Sequence, residues 1–317
     1  MSFLTVESSP SERQEAQMNT SWSRVCACFG ALAANHSFCI AQTNAPDHPS
    51  ITVEGRTYTP RSILARNMGS LEEQSTQFPP HKIIGNVYYV GTKTLSSFLI
   101  VTPGGNVLID STYERNVPII RKSVELLGLK FSDIKILLGN HAHGDHMEGD
   151  AMMKELTGAQ VIVMSEDVPA LKEMQPGGKK HPIDRVIQDG DTVELGGTVL
   201  VAHLTAGHTR GATTWTLKAT EGGQTHDVVF FSSLRSPAQL TPPVIEEFSR
   251  SFEVVSQLPC DVPLGDHPAQ FGMLEKYAKS KSSALNPYID VAGCGLEAKI
   301  EEAMFHAILQ EQEKAAR

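Results

Sequence analysis

Within six residues, His141-Ala142-His143-Gly144-Asp145-His146, this chain places four side chains of the kinds that bind transition metals. The apolar run 134–138 has the length and composition of a buried strand and delivers the chain to the first of them. On extended backbone a spacing of two turns His141 and His143 to the same side, and Asp145 and His146 follow at the start of the next predicted helix. Gly144 is expected to let the backbone curl so that the four converge. Zinc takes about four ligands from His, Cys, Asp and Glu, and a catalytic zinc keeps one position for water. A lone histidine is ordinarily a core or surface residue, and twelve histidines make some clustering unsurprising. HxHxDH is far more specific than any pair. Two further candidates, His208 in AGHT and His267 in LGDH, each follow a predicted strand end, where layered α/β proteins gather site residues in loops. The remaining histidines lack that context; His203 alternates with apolar neighbours and reads as structural.

The rest of the chain reads as alternating strands and helices. Strand pieces are predicted at 83–84 and 87–90, then at 98–101 and 107–110 across the turn Thr102-Pro103-Gly104-Gly105. Asn116 and Pro118 open a helix that Gly128 closes. A helix through 152–156 and a buried strand at 161–164 come next. Short strands are predicted in 182–207 and at 213–217 and 228–231, with helices at 244–258 and 296–314. Two strand-rich halves, each ending in a helix, predict an α/β protein of packed sheets with helices outside.

Residues 1–45 read as a leader. A polar stretch precedes Met18, and Arg24 with the apolar run that follows resembles a secretory signal peptide cleaved near 42–45. Residues 46–77 form an N-terminal segment, and 78–317 a single domain. The formal charge of −9 and the absence of a basic stripe exclude a general nucleic-acid binder. No run of about 20 apolar residues predicts a membrane span. Cys26, Cys28 and Cys39 lie in the leader, and no CxxC pair suggests a structural zinc. Two buried thiols are one reading of Cys260 and Cys294, and their spacing does not decide it.

HAHGDH, the later AGHTRGATTW, and LPCDV with LGDH resemble the class B, subclass 3 metallo-β-lactamases over residues 78–310, in the family's order. The resemblance implies a four-layer αββα sandwich of the metallo-β-lactamase fold with two zinc ions. It implies that His141, His143 and His208 hold one ion and Asp145, His146 and His267 the other. Asp145 would also be catalytic, orienting the metal-bound hydroxide that opens the β-lactam ring of penicillins, cephalosporins and carbapenems. Ser233 stands where other hydrolases of the fold carry a bridging Asp and other lactamase subclasses a Cys. Arg235 either grips the substrate carboxylate or is a solvated surface residue. The resemblance further implies a Cys260–Cys294 disulfide, in keeping with an oxidising periplasmic or secreted location. A monomer acting on a small β-lactam, with no nucleic-acid or membrane partner, is expected. The stretches 168–183 and 236–246 are short against the family pattern. They motivate an alternative: a lactonase or esterase of the same fold with weak β-lactam activity.

Overall fold

The computed structural model describes residues 46–317, so the leader, its signal-peptide reading and Cys26, Cys28 and Cys39 lie outside the described residues. The N-terminal segment 46–77 already carries regular structure. Ile51–Val53 (β1) and Arg56–Tyr58 (β2) form an antiparallel hairpin, and Pro60–Met68 (α1) follows. Thr59 caps that helix, its hydroxyl accepting the Ser62 N–H at 3.1 Å, and Pro60 occupies the first turn where its missing donor costs nothing.

A seven-stranded sheet runs in chain order: His81–Ile84 (β3), Val87–Tyr89 (β4), Phe98–Thr102 (β5), Gly105–Ile109 (β6), Ile134–Leu138 (β7), Gln160–Met164 (β8) and Arg185–Ile187 (β9). Neighbours from β3 to β6 are antiparallel and from β6 to β9 parallel. Parallel neighbours need crossovers. These carry Val117–Leu126 (α2), Gly144–Met147 (α3) with Asp150–Thr157 (α4), and Val168–Glu173 (α5). The last helix was not expected from sequence; Pro169 lies in its first turn, where proline starts a helix rather than breaking it. A five-stranded sheet follows: Thr192–Leu195 (β10), Thr198–Leu204 (β11), Thr213–Glu221 (β12), Gln224–Phe231 (β13) and Val262–Gly265 (β14). Only the β13–β14 pair in it is parallel, bridged by Pro242–Gln257 (α6). Met273–Ser280 (α7) and Leu296–Ala315 (α8) complete the chain.

Alternation along the strands explains the layers. Phe98, Ile100, Val107, Ile109, Ile136 and Leu138 face one way, meeting Trp215, Leu217, Val228, Phe230 and Leu264 of the second sheet. Their intervening residues Leu99, Leu108 and Leu137 face the other way, against Ile120 and Val124 of α2 and Met153 of α4. Burial on both faces is why these strands read as unbroken apolar runs. On the far side, Phe248 and Phe252 of α6 pack with Ile300, Met304 and Phe305 of α8. The result is a four-layer αββα sandwich. No helix among the described residues is long and apolar enough to cross a membrane.

Two tethers fix the start of α8. Cys260 and Cys294 are joined by a disulfide that closes 34 residues of chain. Replacing both by serine is expected to cost about 4 kcal/mol through the added freedom of the unfolded chain. Urea unfolding of the two proteins checks this, and equal midpoints would contradict it. The second tether is the Arg66–Glu297 ion pair, which ties α1 to α8. One helical turn on, Glu301 is buried and neither carboxylate oxygen has a hydrogen-bond partner. Burial, reinforced by Glu297, pushes the Glu301 carboxyl from 4.5 up to about 8. The folded form therefore keeps a proton that the unfolded chain releases, so stability from this group is full below about pH 4.5 and is lost as pH rises through 8. Glu301→Gln should melt at least ~3 °C above wild type at pH 9 and converge with it at pH 4.5. Parallel melting curves would rule this out.

Candidate metal centre

All the residues singled out from HAHGDH, AGHT and LGDH come to one edge of the sandwich, at the carboxyl ends of β7 and β14 and in the β11–β12 loop. Such ends collect site residues in open α/β sheets because every loop there leaves a strand in the same direction. The two sheets are joined at this edge. Thr213 donates its N–H to the Asn140 carbonyl at 2.7 Å, the Trp215 indole donates to the Gly139 carbonyl at 3.1 Å, and the Ser232 hydroxyl reaches Asn140 O at 3.1 Å.

His141, His143 and His208 form one group, with ligand atoms within 4.8 Å of one another. Their ring centroids make a triangle 4.7 Å on each side, and each pair of rings is close to perpendicular, at 83°, 85° and 90°. Asp145, His146 and His267 form a second group within the same limit. There Asp145 Oδ2 lies 3.3 Å from His146 Nε2 and 3.8 Å from His267 Nε2. A third grouping within 4.8 Å links His141 and His146 to Asp266.

The imidazoles are held from behind. His146 Nδ1 donates to Asp110 Oδ2 at 3.0 Å, His208 Nδ1 to the Arg235 carbonyl at 2.9 Å, and His267 Nδ1 to the Thr94 carbonyl at 3.1 Å. Fixing the proton on Nδ1 leaves Nε2 to face the site. His146 Nε2 is buried and has no hydrogen-bond partner, an orphaned atom of the kind that a cation satisfies. Burial, then neighbouring imidazoles, pushes His141 and His208 well below the usual histidine range, which favours the neutral form that binds metal. For Asp145 burial works upward, but His146, His267 and His143 overcome it and hold the carboxyl far below its ordinary value. Six donors of nitrogen and carboxylate type, in two groups of three, fit zinc or a similar divalent ion with a position left open in each.

Several supporting residues were invisible to the sequence reading. Asp110 and Thr112 take left-handed backbone, with φ of 63° and 58°, which is costly for a β-branched residue and tends to be retained where a site demands it. Asp110 Oδ1 accepts the Asn140 N–H at 2.8 Å while its other oxygen holds His146, and the Thr112 N–H holds the His146 carbonyl at 2.9 Å. Asp167, just beyond β8, accepts from Ala142 N–H, Thr209 Oγ1 and Gly211 N–H at 2.8, 2.9 and 2.7 Å. It thereby ties the His141 loop to the His208 loop.

The expectation for Gly144 is corrected, since its φ is not positive and an added Cβ would meet nothing closer than 3.3 Å. A glycine that the site does require is Gly207, with φ of 135° and the Phe248 ring 2.8 Å from where a Cβ would stand. Ser233 is buried, its hydroxyl accepting the Arg235 N–H at 3.4 Å. Arg235 is half-buried; its backbone anchors His208, and its charge bears on both His143 and His208. His203 bonds Thr216 Oγ1 at 2.9 Å across two strands, away from the metal groups.

Fold and donor set together define a metallo-hydrolase of the αββα type. Residues 91–221 match the metallo-beta-lactamase superfamily. The native FEZ-1 metallo-beta-lactamase from Legionella gormanii is 40% identical, with the match covering 75% of this chain and 98% of that one at a TM-score of 0.72. BJP-1, a subclass B3 metallo-beta-lactamase of Bradyrhizobium japonicum, is 31% identical over 78% of this chain and 99% of its own, also at 0.72. A hydroxyacylglutathione hydrolase of Hyphomonas neptunium is 33% identical over 97 residues, 31% of this chain; the match spans only 34% of that protein's length. The chain belongs to the metallo-β-lactamase superfamily and stands structurally among its subclass B3 members.

Proposed function

We propose that this protein is a di-zinc β-lactamase that opens the ring of penicillins, cephalosporins and carbapenems and so confers resistance. The observation that carries the reading is the pair of three-donor groups, His141/His143/His208 and Asp145/His146/His267, in a chain 40% identical to FEZ-1 over nearly all of that enzyme. Bound zinc lowers the pKa of water to about 7 and polarises a carbonyl oxygen. The protein's own part is orientation. The Nδ1 bonds to Asp110, Arg235 and Thr94 fix three imidazoles, and the ionised Asp145 carboxylate accepts a hydrogen bond from the attacking water and sets its direction. Arg235 offers a cation beside His143 and His208 for the carboxylate that β-lactams carry. The proposal includes export to the periplasm on the leader 1–45, and action as a monomer.

The second reading is a thioesterase, esterase or lactonase of the same fold, favoured by the 33% match to a hydroxyacylglutathione hydrolase. Fold alone does not choose between them. Purified zinc-loaded protein should turn over a penicillin, a cephalosporin and a carbapenem, and a chelator should stop all three. Turnover of a glutathione thioester or a lactone far above that of penicillin would transfer the assignment to the second reading.

A further inference from the structure

Asp266 follows β14 and sits between the two metal groups without belonging to either. Its backbone is pinned, the N–H donating to the Phe231 carbonyl at 3.3 Å and the carbonyl accepting the Ser96 N–H at 3.0 Å. Its side chain is wholly buried, and neither oxygen has a hydrogen-bond partner. A carboxylate that gives up water without gaining a donor is strongly destabilising, so a buried one is ordinarily paired. The nearest donor within reach is His141, whose Nδ1 lies 3.5 Å from Asp266 Oδ2.

His141 is the imidazole that needs such a partner. His146, His208 and His267 each anchor Nδ1 on an oxygen at 2.9 to 3.1 Å. The competing acceptor for His141 Nδ1 is the Ser232 hydroxyl at 3.4 Å, which already spends its proton on Asn140 O. A carboxylate is the stronger acceptor of the two, since hydrogen bonds to ionised groups are shorter and about twice as strong as neutral ones. A movement of a few tenths of an ångström brings Asp266 from its present separation to hydrogen-bond length.

We infer that Asp266 is a positioning residue for the metal centre: its carboxylate accepts the Nδ1 proton of His141 and so presents Nε2 to the ion shared with His143 and His208. This rests on the reading of that trio as a metal site, but not on the identity of the substrate. Asp266 also lies near His146, where its carboxylate would offset part of the positive charge of ions held by the two groups.

Zinc affinity, measured by competition with a chromophoric chelator, tests the inference independently of turnover. Asp266→Ala should weaken zinc binding at the His141, His143 and His208 group ~10- to 100-fold. Asp266→Asn, which keeps one acceptor oxygen, should fall between it and wild type, and Ser232→Ala should lose less than Asp266→Ala. The tautomer of His141 in zinc-loaded wild-type protein, read from imidazole nitrogen NMR, gives a second answer that needs no variant to fold. A proton on Nδ1 and none on Nε2 is the expected state. A proton on Nε2, or an Asp266→Ala protein that folds and holds zinc as tightly as wild type, overturns the inference. Wild-type protein that holds no zinc would sink the metal reading along with it; weakened zinc binding without β-lactam turnover would support this inference while sinking only the substrate assignment.

Discussion

Zinc-loaded Asp145→Asn protein is expected to fold normally and to lose at least ~100-fold in β-lactam turnover. Asp145 is the anionic member of the second group, and Oδ2 lies within 3.3 and 3.8 Å of the two imidazole nitrogens that share it. Asparagine has the same shape, so packing in the first turn of α3 is preserved while the charge is removed. Two neutral imidazoles alone bind zinc far less tightly than they do with a carboxylate. In the proposed mechanism the attacking water also exchanges an anionic acceptor for a weaker neutral amide oxygen. The expected signature is therefore double: one zinc equivalent per chain by elemental analysis in place of two, and a fall in kcat larger than any rise in KM. Retention of both ions with unchanged kcat would remove Asp145 from the mechanism.

Asp167→Ala is expected to be the most destabilising single change near the site. The carboxylate satisfies two backbone donors, Ala142 N–H and Gly211 N–H, together with the Thr209 hydroxyl. Alanine leaves both amides buried without a partner, at about 1–3 kcal/mol each, so a loss of at least ~2 kcal/mol and a fall in Tm of at least ~5 °C follow. Gly211 shows how closely the pieces fit, since a Cβ there would stand 2.5 Å from the Asp167 nitrogen. Because the three bonds join the loops of His141 and His208, zinc affinity of the first group should fall with stability. Thermal melting with and without zinc checks both effects. A change in stability below about 1 kcal/mol would show that water replaces the carboxylate at no great cost.

The contrast between Asp145 and Asp167 shows what the sequence discloses. Asp145 is legible because four ligand-type residues in six positions form a pattern along the chain itself. His208 and His267 are legible more weakly, through their place after predicted strands and through the family resemblance. Asp110, Asp167 and Asp266 are single carboxylates at strand ends, and nothing local separates them from any loop aspartate. Their roles exist only once loops from different strands have met. The sheets were readable because strands buried on both faces leave apolar runs. The hairpin and helix of 51–68 were not, since their apolar residues are few and gain their meaning by packing against α6 and α8. Gly144 and Gly207 carry the same lesson, as the need for glycine at 207 comes from the Phe248 ring, 41 positions along the chain.

Each candidate metal group draws its side chains from the ends of both sheets: His141 and His143 with His208 in one, Asp145 and His146 with His267 in the other. An ion bound there would consequently be a cross-link between the two sheets, which elsewhere meet through apolar packing and a few polar contacts such as Gly85 N–H to Glu221. By mass action, a ligand that binds only the assembled state adds RT ln(1 + [L]/Kd) to its stability, about 4 kcal/mol at a thousandfold excess over Kd. On the proposed di-zinc reading, resistance to unfolding therefore rises with free zinc in the surroundings. On that reading, the scarcity of metal that silences the site also loosens the sandwich that builds it.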